Sequence, residues 1–135
     1  MTQTTELNQT DKAAVWKTRT QGIIGGLDVF FENGVMKEVA CEDNGKCDVD
    51  QRSFKAYLAR WMASATKVAP WTGDQMTALL STSAASAIKS CNAGTDGNQC
   101  GLKWTTGTND GYMGVGEQMS VLEVVQGQLI KNVPG

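Results

Sequence analysis

Residues 41–62 read CEDNGKCDVDQRSFKAYLARWM. Two cysteines bracket a short loop with Asn44-Gly45 at its tip, and an acidic stretch leads from it into an amphipathic segment. Asp48 or Asp50 is the expected helix cap. Asp48-Val49-Asp50-Gln51 has capping-box spacing, in which each end residue's side chain accepts the other's backbone N–H. Beyond the cap, Phe54, Tyr57, Leu58, Trp61, Met62, Ala65 and Val68 recur at i, i+3, i+4 and i+7. That period predicts a helix ending before Pro70, with these residues on its buried face and Trp61 in the core.

The flanking sequence extends the helical reading in both directions. Residues 1–10, MTQTTELNQT, are polar and expected to be disordered; they include a sequon, Asn8-Gln9-Thr10. A first helix is expected from about Lys12 to Phe30, capped by Asp11, with Trp16, Thr20, Ile23, Ile24, Leu27, Phe30 and Phe31 sharing a face. Gly22, Gly25 and Gly26 each weaken it by up to about 1 kcal/mol relative to alanine, and an end near Gly25 is the competing reading. Asn33-Gly34 marks a turn, and residues 35–41 suit a short extended piece. Thr72-Gly73-Asp74-Gln75 is a second capping-box pattern. It opens a helix to about Ser90, with Met76, Leu79, Leu80, Ser83, Ala84, Ala87 and Ile88 inward. A long loop over residues 92–116 carries seven glycines and Cys100, the later member of the second cysteine pair. A last helix is expected from about Glu117 to Lys131, with Met119, Leu122, Val125, Gln126 and Leu129 on one side. The fold class is all-α, with about four main helices in up-and-down order. Such a set is either an independent bundle or part of a larger array of helical hairpins.

Composition narrows the function. A net charge of −2 and no basic run argue against nucleic-acid binding. With no histidine, a Ser-His-Asp or Cys-His mechanism within this chain is excluded. Of the three ways to pair four cysteines, the two local ones, Cys41–Cys47 and Cys91–Cys100, are preferred. Their spacings are wider than usual for a structural zinc site, and neither a metal nor a cofactor is expected. Disulfides imply an oxidising compartment, although the first ten residues hold no signal-peptide core. No stretch is long and apolar enough to cross a membrane.

Glycoside hydrolysis needs two carboxylates flanking the bond. Asp48 and Asp50 are a tempting pair, but helix capping and the helix dipole explain both. Calcium binding by Glu42, Asp43, Asp48 and Asp50 fits no EF-hand spacing. The loop GLKWTTGTNDGYMGVG, residues 101–116, sets Trp104, Asp110 and Tyr112 among glycines. Its aromatic rings suit stacking on a sugar, while Asn109 and Asp110 suit bonding to hydroxyls. The competing reading packs Trp104 beneath the loop and makes Asn109-Asp110-Gly111 a turn. Arg52 and Lys55 lie near the start of the second helix, where a cation opposes the helix dipole; a solvated surface is the default reading for both, and a partner or ligand for one of them is the alternative.

Four runs in this chain, WKTRTQGII, NGVMKEVACE, CDVDQRSFKAYLARWMA and CGLKWTTGTNDGYMGVGEQMSVLEVVQ, carry a family resemblance. Together they resemble the C-terminal part of fungal glycoside hydrolase family 76. This is the family of mannan endo-1,6-alpha-mannosidases and related cell-wall proteins acting on GPI-anchored glycoproteins. The resemblance covers about residues 14–129, with both cysteine pairs in register. It implies an (α/α)6 toroid of which residues 11–135 form part. It also implies hydrolysis or transfer at α-1,6-mannosidic linkages, an α-1,6-mannan or GPI-linked mannoside partner, and a place at the cell surface or cell wall. The family's catalytic carboxylates are adjacent aspartates, and this chain contains no Asp-Asp dipeptide. No catalytic residue is therefore assigned, and the chain alone is expected to be inactive. The alternative is a non-catalytic glycan-binding or interaction module. Segments 51–55 and 104–116 are the expected cleft, with Gln51, Lys55, Trp104, Asp110 and Tyr112 as candidate sugar contacts.

Overall fold

A computed structural model describes the backbone of residues 2–134 and the side chains of residues 10–134. The sequon residues Asn8 and Gln9 lie outside the described side chains. Four α-helices dominate: α1 (Thr2–Gly25), α2 (Phe54–Val68), α3 (Gly73–Lys89) and α4 (Val115–Gln126). Four short strands form two hairpins, β1 (Phe31–Glu32) with β2 (Val35–Met36) and β3 (Cys91–Ala93) with β4 (Gln99–Cys100). The all-α expectation is met.

α1 begins at Thr2, ahead of the expected start, so residues 2–10 are helical and Asp11 lies inside the helix rather than capping it. The α-helix ends at Gly25 and tightens into a 3-10 segment, Gly26–Phe30, because paired glycines hold the α conformation poorly. Asn33 and Gly34 then take φ values of 53° and 78°, the left-handed pair that a two-residue hairpin turn requires. This hairpin docks on α3. The Met36 backbone N–H donates to Ser83 Oγ at 2.9 Å, and Ser83 Oγ donates to the Gly34 carbonyl at 3.3 Å.

α2 starts with a one-turn 3-10 lead, Gln51–Ser53, and α3 with another, Pro70–Thr72. The Thr72 hydroxyl does not cap α3; it donates back to the Ala69 carbonyl at 2.8 Å. α4 ends at Gln126, and a 3-10 segment, Gly127–Asn132, replaces its expected last turn.

The core lies among α2, α3, α4 and the first hairpin, around Met36, Ala59, Met62, Met76, Leu80, Ala87, Trp104 and Val124. Two helix faces differ from expectation. α2 buries Lys55, Ala56, Ala59, Met62 and Ala63, while Phe54, Tyr57, Trp61 and Val68 are exposed. α4 buries Glu117, Ser120, Val121, Glu123 and Val124, while Leu122 is exposed, as is Leu129 in the 3-10 segment that follows. The cause is close packing of small residues. A Cβ at Gly116 would lie 3.2 Å from the Arg52 carbonyl carbon, and one at Gly127 would lie 3.4 Å from Ala63 Cβ. At such separations the positions of closest approach are held by small residues such as glycine and alanine, and the large rings turn outward. α3 follows expectation more closely, burying Met76, Leu80, Ser83, Ala84 and Ala87, though Ile88 is exposed. In α1, Ile24 is buried, but Trp16 and Ile23 are exposed, against the reading that placed them on a buried face.

Candidate functional site

Residues 48–51 start the site. Gln51 Oε1 accepts the Asp48 N–H and Asp48 Oδ1 accepts the Gln51 N–H, both at 3.0 Å, which is the expected capping box. It aims the next residues, Arg52 and Lys55, at two different loops.

Lys55 is buried although it lies only one residue into α2. Its ammonium is 2.7 Å from Glu42 Oε1, donates to the Leu102 carbonyl, and sits 4.0 Å from the centre of the Trp104 ring. Glu42 Oε1 also accepts the Glu38 N–H at 2.9 Å. Burial pushes the Lys55 ammonium down and the Glu42 carboxyl up from their ordinary ranges, and each charge opposes the other's shift. Trp104 is 1% exposed, packed beneath the loop as the competing reading held, so it offers no ring face to solvent. Trp104 Nε1 and Glu42 Oε2 are buried without a protein hydrogen-bond partner.

Asp110 is a backbone staple. Its Oδ1 accepts from Leu102 N–H at 3.0 Å and Tyr112 N–H at 3.3 Å, and its Oδ2 accepts from Lys103 N–H at 2.9 Å. Asn109 Oδ1 accepts the Gly111 N–H at 2.8 Å, and its Nδ2 donates to the Ser90 and Gln99 carbonyls. Gly101 is obligatory here, since a Cβ would fall 2.8 Å from Asp110 Oδ1 and 3.1 Å from Asp110 N. The Tyr112 hydroxyl donates to the Gly45 carbonyl at 2.8 Å, tying this loop to the tip of the first cysteine loop. Arg52 stacks 4.7 Å above the Tyr112 ring, donates Nε–H to the Cys47 carbonyl at 3.3 Å and approaches Glu117 at 3.6 Å.

Both expected disulfides are formed, Cys41–Cys47 and Cys91–Cys100, and the second joins directly paired residues of β3 and β4. The structure thus gathers Gln51, Lys55, Trp104, Asp110 and Tyr112 around the N-terminal end of α2. Lys55 and Trp104 are interior, Asp110 spends its carboxylate on three backbone amides, and Gln51 and Tyr112 keep partial exposure. Glu42 and Glu117 went unassigned as scaffold in the sequence, because their partners lie far away along the chain. Three of the four acidic residues considered for calcium are separately engaged: Glu42 with Lys55, Asp43 with Lys37 and Lys103, Asp48 with the cap.

Beside this knot runs a largely apolar groove of about 340 Å³. Phe30, Phe54, Tyr57, Leu58 and Trp61 line it, with Lys37 and Glu38 also contributing. No helix among the described residues is long and apolar enough to cross a membrane.

Comparison with known proteins assigns the architecture. The family model described as Glycosyl hydrolase family 76 matches residues 4–135. The chain is 47% identical to mannan endo-1,6-alpha-mannosidase DFG5 of Saccharomyces cerevisiae, over 94% of this chain and 28% of that protein. It is 49% identical to mannan endo-1,6-alpha-mannosidase DCW1 of the same yeast, over 82% of this chain and 25% of that protein. The crystal structure of Dfg5 from Chaetomium thermophilum in complex with glucosamine superposes with a TM-score of 0.85 at 39% identity, covering 90% of this chain and 31% of that one. The chain therefore spans less than a third of the relatives it matches, and over that span it belongs to glycosyl hydrolase family 76.

Proposed function

We propose that the chain forms part of the wall of a mannan cleft in a fold that hydrolyses or transfers at α-1,6-mannosidic linkages, and that it supplies no catalytic carboxylate. The observation that carries this reading is the 47% identity to a named mannan endo-1,6-alpha-mannosidase across 94% of the chain. The partner is then α-1,6-mannan or a GPI-linked mannoside, and the setting is the fungal cell wall outside the cell. Two disulfides fit that oxidising location.

Within the cleft, Gln51 and Tyr112 are the residues that touch sugar, because both retain exposure at the mouth of the knot. Lys55, Trp104 and Asp110 hold the loop that carries Tyr112. Catalysis falls to carboxylates outside this sequence, which has no Asp-Asp pair.

The test exchanges the matching segment of Saccharomyces cerevisiae DFG5 for this chain and assays α-1,6-mannan for new reducing ends and for transfer products. The chimera is expected to act on mannan and the chain alone to be inert. Release of reducing ends by the chain alone at an enzyme's rate, or an inactive but folded chimera, would overturn the reading.

A further inference from the structure

Two arginines, Arg52 in the 3-10 lead of α2 and Arg60 within α2, approach buried glutamates of α4, and the two pairs differ. Arg60 is a closed clamp: its Nε donates to Glu123 Oε2 at 3.1 Å and its Nη2 donates to Glu123 Oε1. Arg52 is open. Its Nη1 stays 3.6 Å from Glu117 Oε1, longer than a hydrogen bond, and its Nε donates instead to the Cys47 carbonyl at 3.3 Å. Glu117 is 2% exposed, and its Oε1 is buried without a hydrogen-bond partner among the described residues. A carboxylate oxygen stranded in this way costs stability, which a clamp serving only to join α2 to α4 avoids by closing, as Arg60 does.

Tyr112 is what diverts Arg52. The guanidinium lies 4.7 Å from the centre of that ring, the stacking that a planar cation favours. Tyr112 otherwise packs against Cys41, Cys47 and Leu102, so a ligand approaching the covered face of its ring meets Arg52 first. The Arg52 side chain is 30% exposed, and neither of its Nη groups donates a hydrogen bond among the described residues. Its backbone is fixed: Ser120 Oγ donates to the Arg52 carbonyl at 3.1 Å, and a Cβ at Gly116 would lie 3.2 Å from Arg52 Cβ. A rigid, partly open fork of donors next to Gln51 suits a pair of oxygen acceptors. Glu117 offsets its charge, and the exposed Asp48 and Asp50 lie close by in the chain, so the fitting acceptors are neutral hydroxyls and not a phosphate.

We propose that Arg52 is a further sugar-contacting residue, one that selects an uncharged mannoside: its Nη groups donate to a vicinal pair of hydroxyls, and Glu117 is the positioning residue that holds the fork at the mouth. This rests on the mannan-cleft reading and adds to it a contact besides Gln51 and Tyr112. Lysine does not replace Arg52, because a point charge on a flexible stem neither forms the planar fork nor stacks on Tyr112 as a guanidinium does.

The experiment uses the chimera with Saccharomyces cerevisiae DFG5 and measures KM and kcat for an α-1,6-mannooligosaccharide. Arg52→Met should raise KM about tenfold with kcat within about twofold, the loss of a charged donor from ground-state and transition-state binding alike. Arg52→Lys should do no better. Glu117→Gln should raise KM less and add nothing to Arg52→Met, because it acts through Arg52. Arg60→Met, which opens the closed clamp, should lower the urea midpoint and leave KM unchanged. The KM of the parent chimera should be indifferent to salt. Unchanged KM in Arg52→Met, full recovery by lysine, or additive effects of the Glu117 and Arg52 variants overturns the proposal. So does tighter binding of a phosphorylated mannoside that salt weakens. An inactive but folded chimera overturns the cleft reading instead. The 135-residue chain is then titrated with the same oligosaccharide by NMR: shifts at the Arg52 guanidinium and the Tyr112 amide support the contact, and their absence at millimolar sugar overturns it.

Discussion

Lys55 and Glu42 form a buried ion pair, 2.7 Å apart, that ties the start of α2 to the first cysteine loop. The Leu102 carbonyl and the face of Trp104 complete the ammonium's surroundings. Removing one partner leaves the other charged in the interior. Lys55→Met or Glu42→Gln should each cost about 3–5 kcal/mol, seen as a large fall in the urea midpoint. Lys55→Met combined with Glu42→Leu should recover much of that loss, because no charge is then stranded. A double variant as unstable as the sum of the singles would show that the pair itself, and not the stranded charge, sets the cost.

The capping box offers a milder perturbation. Gln51→Ala removes the acceptor for the Asp48 N–H and should lower stability by about 1 kcal/mol. If Gln51 also touches mannan in an assembled enzyme, the variant raises KM there by more than its stability loss explains.

Asp110 and Gly101 form one device. Asp110→Ala releases three backbone amides and should free the Tyr112 ring, read as loss of amide hydrogen-exchange protection at residues 102, 103 and 112. Gly101→Ala should do the same by steric collision, whereas Gly22→Ala, with open space around it, should be neutral or stabilising.

Acid and neutral pH should act through different groups. The Lys37 and Lys103 ammonium groups hold the Asp43 carboxyl below its ordinary range, and the Arg60 guanidinium does the same for Glu123. A depressed folded pKa contributes stability above the unfolded value that is lost as pH falls through the folded one. Glu42 runs the other way: burial raises its folded pKa, so its contribution is full at low pH and is lost as pH rises through that value. Urea midpoints against pH should therefore lose acid sensitivity in Asp43→Asn, while Glu42→Gln should flatten the slope above the ordinary carboxylate range.

The disulfides close short loops, of sequence separation 6 and 9, so each should contribute about 2–3 kcal/mol by restricting the unfolded chain. Paired Cys→Ser variants, compared by urea denaturation, would check this. The Cys91–Cys100 pair should also control the order of residues 101–112, because the Asn109 side chain in that loop donates to the Ser90 and Gln99 carbonyls.

The helices, the Asn33-Gly34 turn, the Asp48–Gln51 cap and both disulfide pairings were legible because each depends on residues close in sequence. What misled was the choice of face. Hydrophobic periodicity finds the apolar stripe on α2 but not whether a neighbour covers it. Here Ala56, Ala59 and Ala63 turn inward and Trp61 outward, because α4 approaches too closely for rings. At the candidate site the structure brings the five residues to one end of α2, yet the division of labour among them was hidden. Nothing local to Lys55 announces a carboxylate at Glu42, and nothing local to Trp104 announces an ammonium over its ring.

The uneven placement of the four tryptophans gives the protein a built-in optical contrast. Trp16, Trp61 and Trp71 are open to water at 62%, 66% and 43%, whereas Trp104 is shielded beneath its loop. Iodide should quench most of the emission and leave a blue-shifted remainder from Trp104 alone. That remainder is a local reporter: it disappears when the loop lifts from Lys55, even while the helical circular dichroism is unchanged.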